Sequence, residues 1–289
     1  MPNSFPSPTV LTTCDELQRH LRQRRAEAKT LGLVPTMGAL HEGHLSLVRE
    51  ANAECDATIV SIFVNPTQFG PGEDFQQYPR TLESDLRALS TLDVDSVFVP
   101  AGQEMYPPGF STYVQPPAVA EPLEGSFRAG HFQGVATVVL KLFHLIPADF
   151  AYFGQKDYQQ LTVLRRMVAD LNVPITLREC PIVREPDGLA LSSRNRYLSD
   201  DERQRALALS RSLARARELV AEGERNTARL RQEMHEIFRE HRVTEIDYIT
   251  IVDPDTMATI AFLEERAVAV IAARVGKTRL IDNCYLEIA

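Results

Sequence analysis

A chain of 289 residues with a formal net charge of −8 and 24% charged side chains is of ordinary globular composition, with room for one large or two modest domains. The acidic balance argues against a large nucleic-acid footprint, which would rest on Lys and Arg contacts to phosphates, yet it leaves room for a local basic pocket for one nucleotide. Cys14, Cys55, Cys180 and Cys284 form no CxxC pair, so zinc clusters and thioredoxin-like chemistry are poor readings, and no apolar stretch reaches the ~20 residues that span a bilayer.

The N-terminal MPNSFPSPTV has no basic stretch followed by an apolar run, so the expectation is a soluble cytoplasmic protein with no secretory signal. Leu33 to Pro35 reads as the end of a strand and Leu45 to Cys55 as the helix after it. Thr58 to Val64 (TIVSIFV) is β-branched and apolar on both faces, as a buried parallel strand should be. Leu82 to Leu92 is helical, with Leu82, Leu86 and Leu89 on one stripe, and Ser96 to Val99 is another strand. Val135 to Ile146 reads as a mostly buried helix, Phe150 to Phe153 as a short strand, and Tyr158 to Leu171 as a helix. Such alternation predicts βαβ units and a Rossmann-like parallel sheet, with chemistry on the loops beyond the carboxyl ends of the strands.

The character changes near Val183. Arg184 to Gly188 is a turn-rich, charged joint. It divides a first domain, 1–183, from a smaller α+β domain, 184–289. The second should hold helices at about Asp201 to Glu222 and Thr227 to His241. Strands follow at Glu245 to Val252, Ala267 to Ala273 and Thr278 to Ile288.

The strongest chemical signal is Pro35-Thr-Met-Gly-Ala-Leu-His-Glu-Gly-His44, between a strand and a helix. The helix opens near His41 or Glu42, so its free N–H groups and dipole face the strand ends, where an anion would sit. Gly43 is expected to leave room for a nucleotide against the backbone. His41 and His44, at i and i+3, can both donate to phosphate oxygens as charge builds up during displacement at phosphorus. A second signal is Phe153-Gly-Gln-Lys-Asp-Tyr-Gln-Gln160. There Gly154 allows close approach, Lys156 offers a point charge, Asp157 can cap the helix, and Gln160 should face the cleft one turn further in. A third is Leu191-Ser-Ser-Arg-Asn-Arg196, whose hydroxyls and guanidiniums suit phosphate. In Asn65-Pro-Thr-Gln-Phe69, Asn65 and Gln68 suit recognition of hydroxyls and amides. No P-loop, no dinucleotide fingerprint and no serine nucleophile elbow is present.

His-Glu-Gly-His44 resembles the HIGH signature of the adenylate-forming nucleotidyltransferases, and Ser192-Ser-Arg194 stands in the place of their second, KMSKS-like loop. Taken with FVNPTQF, YPRTLESD, GHFQGVATVVLKLF, FGQKDYQQ and LSSRNRYL in this order, the chain resembles the pantothenate synthetase family from about residue 31 to 200. That resemblance implies condensation of pantoate with β-alanine, with ATP going to AMP and pyrophosphate in the presence of Mg²⁺, through a pantoyl adenylate. It places His44, His41, Lys156 and Arg194 in catalysis, with His44 as proton donor. It assigns ATP to Met37, Gly38, Ala39, Leu40, His41, Glu42, Gly43 and His44, to Gly154, Gln155, Lys156 and Asp157, and to Val183, Leu191, Ser192, Ser193 and Arg194. Gln68 would touch pantoate and β-alanine, Gln160 would bind pantoate, and Asn65 would line the same pocket. Asp85 would neighbour Mg²⁺, and Glu124, Arg128 and His131 would order over the site. The C-terminal domain would act as a lid, and the family implies a homodimer.

Two positions depart from the family pattern: Gln155 stands where Glu is typical, and Leu191 where Met is. Rival readings are an adenylyltransferase with a phosphate-bearing acceptor and a non-catalytic ATP-binding regulator. The loops at Gln68 and Gln160 disfavour the first, and the set His41, His44, Lys156 and Arg194 disfavours the second.

Overall fold

The computed structural model describes residues 7–26 and 30–288; residues 1–6, part of the stretch read as lacking a leader, lie outside the described residues. Six parallel strands form the first sheet: β1 (Thr9–Leu11), β2 (Leu31–Thr36), β3 (Ala57–Ile62), β4 (Ser96–Phe98), β5 (Phe150–Gly154) and β6 (Thr176–Cys180). Their spatial order is β1-β4-β3-β2-β5-β6. Between them run α1 (Cys14–Ala26), α2 (Glu42–Glu54), α3 (Leu82–Leu89), the single turns α4 (Gly102–Met105) and α5 (Glu124–Phe127), α6 (His131–Leu145) and α7 (Tyr158–Asp170).

β3 (ATIVSI) is buried at every position because helices cover both faces of the sheet. Ala57 and Ile59 join Leu33, Ala151 and Phe153 in a core with residues of α1, α6 and α7. Val60 and Ile62 turn the other way and join Val34, Val97 and Tyr152 against α2 and α3. Each helix is accordingly one-faced: α2 buries Leu47, Val48 and Ala51 while Arg49 and Glu50 stay exposed.

Strand order reverses at β2, which has β3 on one side and β5 on the other. Crevices for ligands form at such switch points, beyond the carboxyl ends of the strands. The loops leaving β2 and β5, which carry the two histidines and Lys156, therefore open side by side.

The second unit packs α8 (Asp200–Ala221) and α9 (Thr227–Glu240) on an antiparallel sheet of β7 (Glu245–Val252), β8 (Arg266–Val275) and β9 (Thr278–Glu287). α8 starts on a reciprocal cap in which Ser199 Oγ accepts from the Glu202 N–H and the Glu202 carboxylate accepts from the Ser199 N–H. Leu213, Met234, Phe238, Ile251 and Ile271 fill its core, each worth ~1.5–3 kcal/mol of apolar burial.

The expected Rossmann-like sheet and smaller α+β unit are both present. β1, α1 and β6 went unread in the sequence. β3 ends at Ile62 rather than Val64, and α6 begins at His131 rather than Val135, after Gly130 in a left-handed conformation (φ 78°). The charged joint is a tight hairpin: Leu191 N–H donates to Val183 O at 2.9 Å and Glu185 N–H to Leu189 O at 2.8 Å, which folds Leu191 to Arg194 back beside Val183. Among the described residues no helix is long and apolar enough to cross a membrane.

Candidate active site

The turn after β2 is held open by one carboxylate. Gly38 (φ 79°) and Ala39 (φ 51°) both lie in the left-handed region, which costs a residue with a Cβ about 1 kcal/mol or more. Asp85, 2% exposed, compensates by accepting from the main-chain N–H groups of Ala39 at 3.0 Å and Leu40 at 2.9 Å, and from Thr81 Oγ1. Asp85, expected beside a metal, here has its oxygens engaged by the turn, and it does not border the cavity described below. Among the described residues no group of three or more His, Cys, Asp or Glu could hold a metal.

His41 then caps α2 in an extended conformation (φ −137°, ψ 176°). Its N–H donates to His44 Nδ1 at 3.3 Å, so the ring proton of His44 sits on Nε2. The two rings lie 4.1 Å apart, and His41 Nδ1 is buried without a hydrogen-bond partner. Burial, then the Lys156 charge, lowers the pKa of His41 to about 4; burial, then His41 and Lys156, lowers that of His44 to about 3. Both rings are therefore neutral at pH 7, and His44 offers an N–H rather than an imidazolium. At Gly43 the space of a side chain is taken by an imidazole, since a Cβ there would meet His41 Cε1 at 2.9 Å, and Gly43 itself borders the cavity. Glu42 turns to solvent and pairs with Arg49, Ala39 is buried, and Leu40 packs into the core. Of the first motif, Met37, His41, Gly43 and His44 reach the cavity.

The turn after β5 is fixed from the second sheet. Asn283, on β9, donates through Nδ2 to the carbonyls of Gln155 at 3.0 Å and Lys156 at 2.9 Å, and Gln155 Nε2 donates to Asn283 Oδ1 at 3.2 Å. Gln155 thus faces β9 and not the cavity, while Gly154, Lys156, Asp157 and Gln160 border it. The side chain of Asp157 does not cap α7 as expected; it lies 4.0 Å from Lys156 Nζ.

Asn65 and Gln68 sit in the turn after β3. Asn65 Nδ2 donates to Gln68 Oε1 at 3.1 Å and to Gly134 O at 3.2 Å, and Gln68 Nε2 reaches Met37 Sδ at 3.0 Å. Gly134 in α6 permits this, since a Cβ there would lie 2.3 Å from Thr67 O. Asn65 borders the cavity, and its two donors are taken by Gln68 and Gly134.

Ser192 Oγ accepts from the Arg194 N–H at 3.3 Å, and Ser193 is 9% exposed. Arg194 does not reach into the cavity alone: its fork is paired with Asp74 at 2.8 and 2.9 Å, with the guanidinium over the Tyr78 ring. Neighbouring Glu73 holds Arg128 in the same manner, at 2.7 Å twice. Glu73, Asp74, Tyr78 and Asn283 were missed in the sequence; the Gly-Pro-Gly turn before Glu73 was the available signal.

His41, His44, Gln68, Lys156, Gln160, Val183 and Leu191 to Arg194 border one cavity of about 240 Å³. A cleft of about 760 Å³ beneath the β8–β9 hairpin shares Arg128, Lys156, Ser192 and Arg194 with it. The family model described as Pantoate-beta-alanine ligase matches residues 9–285. The chain belongs to this family. Its members among curated relatives include the pantothenate synthetases of Thermotoga neapolitana, 52% identical over 96% of this chain and 99% of theirs, and Thermosipho africanus, 53% identical over 96% and 99%. Among solved structures, the pantothenate synthetase of Thermus thermophilus superposes with a TM-score of 0.90 at 46% identity, covering 96% of this chain and 98% of that one. A pantoate-β-alanine ligase from Francisella tularensis, in complex with β-γ ATP and β-alanine, gives 0.79 at 35% identity over 96% and 97%. This chain is therefore an enzyme of the pantothenate synthetase type, a carbon–nitrogen ligase of pantothenate biosynthesis.

Proposed function

We propose that the enzyme couples pantoate to β-alanine in two steps driven by ATP. In the first, a carboxylate oxygen of pantoate attacks the α-phosphorus, the bond to the β-phosphate oxygen breaks, and pyrophosphate leaves. In the second, the neutral amine of β-alanine attacks the acyl carbon, AMP departs with the bonding electron pair, and the nitrogen loses a proton. No enzyme nucleophile is needed, in keeping with the missing nucleophile motif.

The observation that carries this reading is the histidine pair at the start of α2, at the topological switch point and beside Lys156. The orphaned His41 Nδ1 is a buried polar atom that a phosphate group could satisfy, and His44 Nε2–H is a donor ready for charge developing on phosphate oxygens. A polyanion in the cavity would favour the protonated form of either ring, so substrate itself would recruit the positive charge. In this reading Lys156 and Arg194 neutralise phosphates, with Arg194 exchanging Asp74 for them. Main-chain groups at Met37, Gly43, Gly154, Val183 and Leu191 to Ser193 hold the nucleotide. Gln68 and Gln160 take pantoate, and Gln68 also meets β-alanine. Mg²⁺ enters as a companion of the phosphates, which supply most of its ligands where the described residues offer no cage.

The division of labour follows. Residues 1–183 bind nucleotide and pantoate, 184–289 contribute the Ser192–Arg194 loop and a lid, and the enzyme works as a homodimer, which light scattering would check. The test of the chemistry is exchange of labelled pyrophosphate into ATP with pantoate and Mg²⁺ and no amine. Pantoate-dependent exchange is expected; its absence in ATP-binding protein would remove the adenylate route.

A further inference from the structure

We propose that Arg128 receives the carboxylate of the amine substrate and is the residue that selects β-alanine over amines without an acid. This rests on the two-step reading above, in which β-alanine is the second nucleophile and the partner of its carboxylate has not been assigned.

The Arg128 side chain is 17% exposed and presents its flat fork to a carboxylate already: Nε and Nη2 donate to the two oxygens of Glu73, each at 2.7 Å. The remaining nitrogen, Nη1, donates to His131 Nε2 at 3.0 Å, and His131 Nδ1 lies 2.9 Å from the main-chain oxygen of Gln68. The proton order is settled by the partners. A guanidinium has only donors, so His131 Nε2 accepts and Nδ1–H donates to the carbonyl. Two hydrogen bonds therefore fix Arg128 relative to Gln68, the residue placed against both small substrates. Arg128, Gln68, Gln160 and Lys156 border the same cavity.

Chemistry then sorts the cations. Lys156 lies beside the histidine pair and Arg194 on the Ser192–Ser193 loop, both on the phosphate side. Arg128 is the cation on the Gln68 side. β-Alanine brings a carboxylate whose desolvation must be offset, and a bidentate guanidinium matches it in shape and charge. Glu73 occupies that fork as an internal carboxylate. Burial raises its pKa, and the Arg128 hydrogen bonds and charge outweigh this, so it stays ionised. Substrate must displace it, which lowers apparent affinity by the fraction of time that Glu73 is seated.

The experiment first measures pyrophosphate exchange without amine in the unmodified enzyme; failure there overturns the two-step reading and this proposal with it. With exchange in hand, kcat/KM is compared for β-alanine and n-propylamine, in which a methyl replaces the carboxylate. Arg128→Ala is expected to lower the ratio of the two by about ten- to hundred-fold, the loss of a charge-assisted hydrogen-bonded pair. A merely structural Arg128 would slow both amines alike, and a ratio changed by less than ten-fold overturns the assignment while leaving the two-step reading in place. Glu73→Ala supplies an independent check should Arg128→Ala fold poorly. It vacates the fork, so KM for β-alanine should fall, and an unchanged or higher KM overturns the proposal as well.

Discussion

Asp85 Oδ2 accepts the N–H of Ala39 at 3.0 Å and Oδ1 that of Leu40 at 2.9 Å, so a side chain of α3 sets the shape of the turn that leads into the histidine pair. Asp85→Asn keeps the volume but turns an NH₂ group against one of two donors. Losing a hydrogen bond to a charged group costs ~1.5–3 kcal/mol. Chemical denaturation should register that loss, and turnover should fall with it. The Mg²⁺ concentration for half-maximal activity should stay where it is, and a large shift there would restore Asp85 as a metal neighbour.

In the reaction proposed above, His44 and Lys156 serve the chemistry and not the fold. His44→Ala or Lys156→Ala should keep the wild-type circular dichroism spectrum while pantoate-dependent pyrophosphate exchange slows by ~10²–10³-fold, the usual loss for one transition-state donor. Normal exchange in either variant would remove that residue from the machinery.

Three buried histidines make stability depend on pH. Burial is the largest cause in each, and it lowers His41 to about 4, His44 to about 3 and His131 to about 4, from an ordinary 6.5. Between these values the unfolded chain binds protons that the folded chain refuses. Their contribution is thus complete above about pH 6.5 and is lost as pH falls from there through about 4. Urea midpoints taken at roughly pH 7, 5.5 and 4, which sample that window, should decline in order. His131→Asn, which can still donate to the Gln68 carbonyl, should make the decline shallower.

Gly134→Ala pushes a Cβ onto Thr67 O, 2.3 Å away, and the nearest atoms that it meets are all backbone, which cannot swing aside. Overpacking of this type costs ~1–3 kcal/mol. Because Gln68 hangs from the displaced turn, KM for pantoate should rise more than KM for ATP. Equal changes in both would mean that the turn moves as a rigid piece.

Gln155→Glu would install the residue that the family resemblance leads one to expect, and here it should not help. The amide donates to Asn283 Oδ1, and a carboxylate would face that oxygen with no proton to give. Thermal melting should show a lower Tm, and KM for ATP should rise or stay level. A clear fall in KM would mean that the side chain turns from β9 toward the nucleotide.

The long alternating stretch was legible because a parallel sheet covered on both faces leaves a strong signature: every residue of TIVSIF except Ser61 is β-branched or apolar, and the helices beside it carry single stripes. What escaped lay at the edges. β1 has three residues, β6 (TLREC) fully buries Cys180 alone, and α1 offers Leu17 and Leu21 amid charged neighbours. That the histidines, Lys156 and Gln160 would face one cavity was readable from local context, since turn chemistry and helix starts are local. What Asp85 does for the turn was not legible, because the N–H groups that it accepts from are 46 and 45 positions away. The pairing of Glu73 and Asp74 with Arg128 and Arg194 spans 55 and 120 positions, beyond any periodicity.

Asn283 has a bearing on how the molecule comes into being. The lysine turn is made midway along the chain, yet the amide that pins its carbonyls belongs to β9. A nascent chain that has already closed its parallel sheet would still carry a loose turn until that last strand joins β8. Nucleotide binding should therefore arise abruptly and late in synthesis, and a partly made chain would not sequester ATP before it could use it.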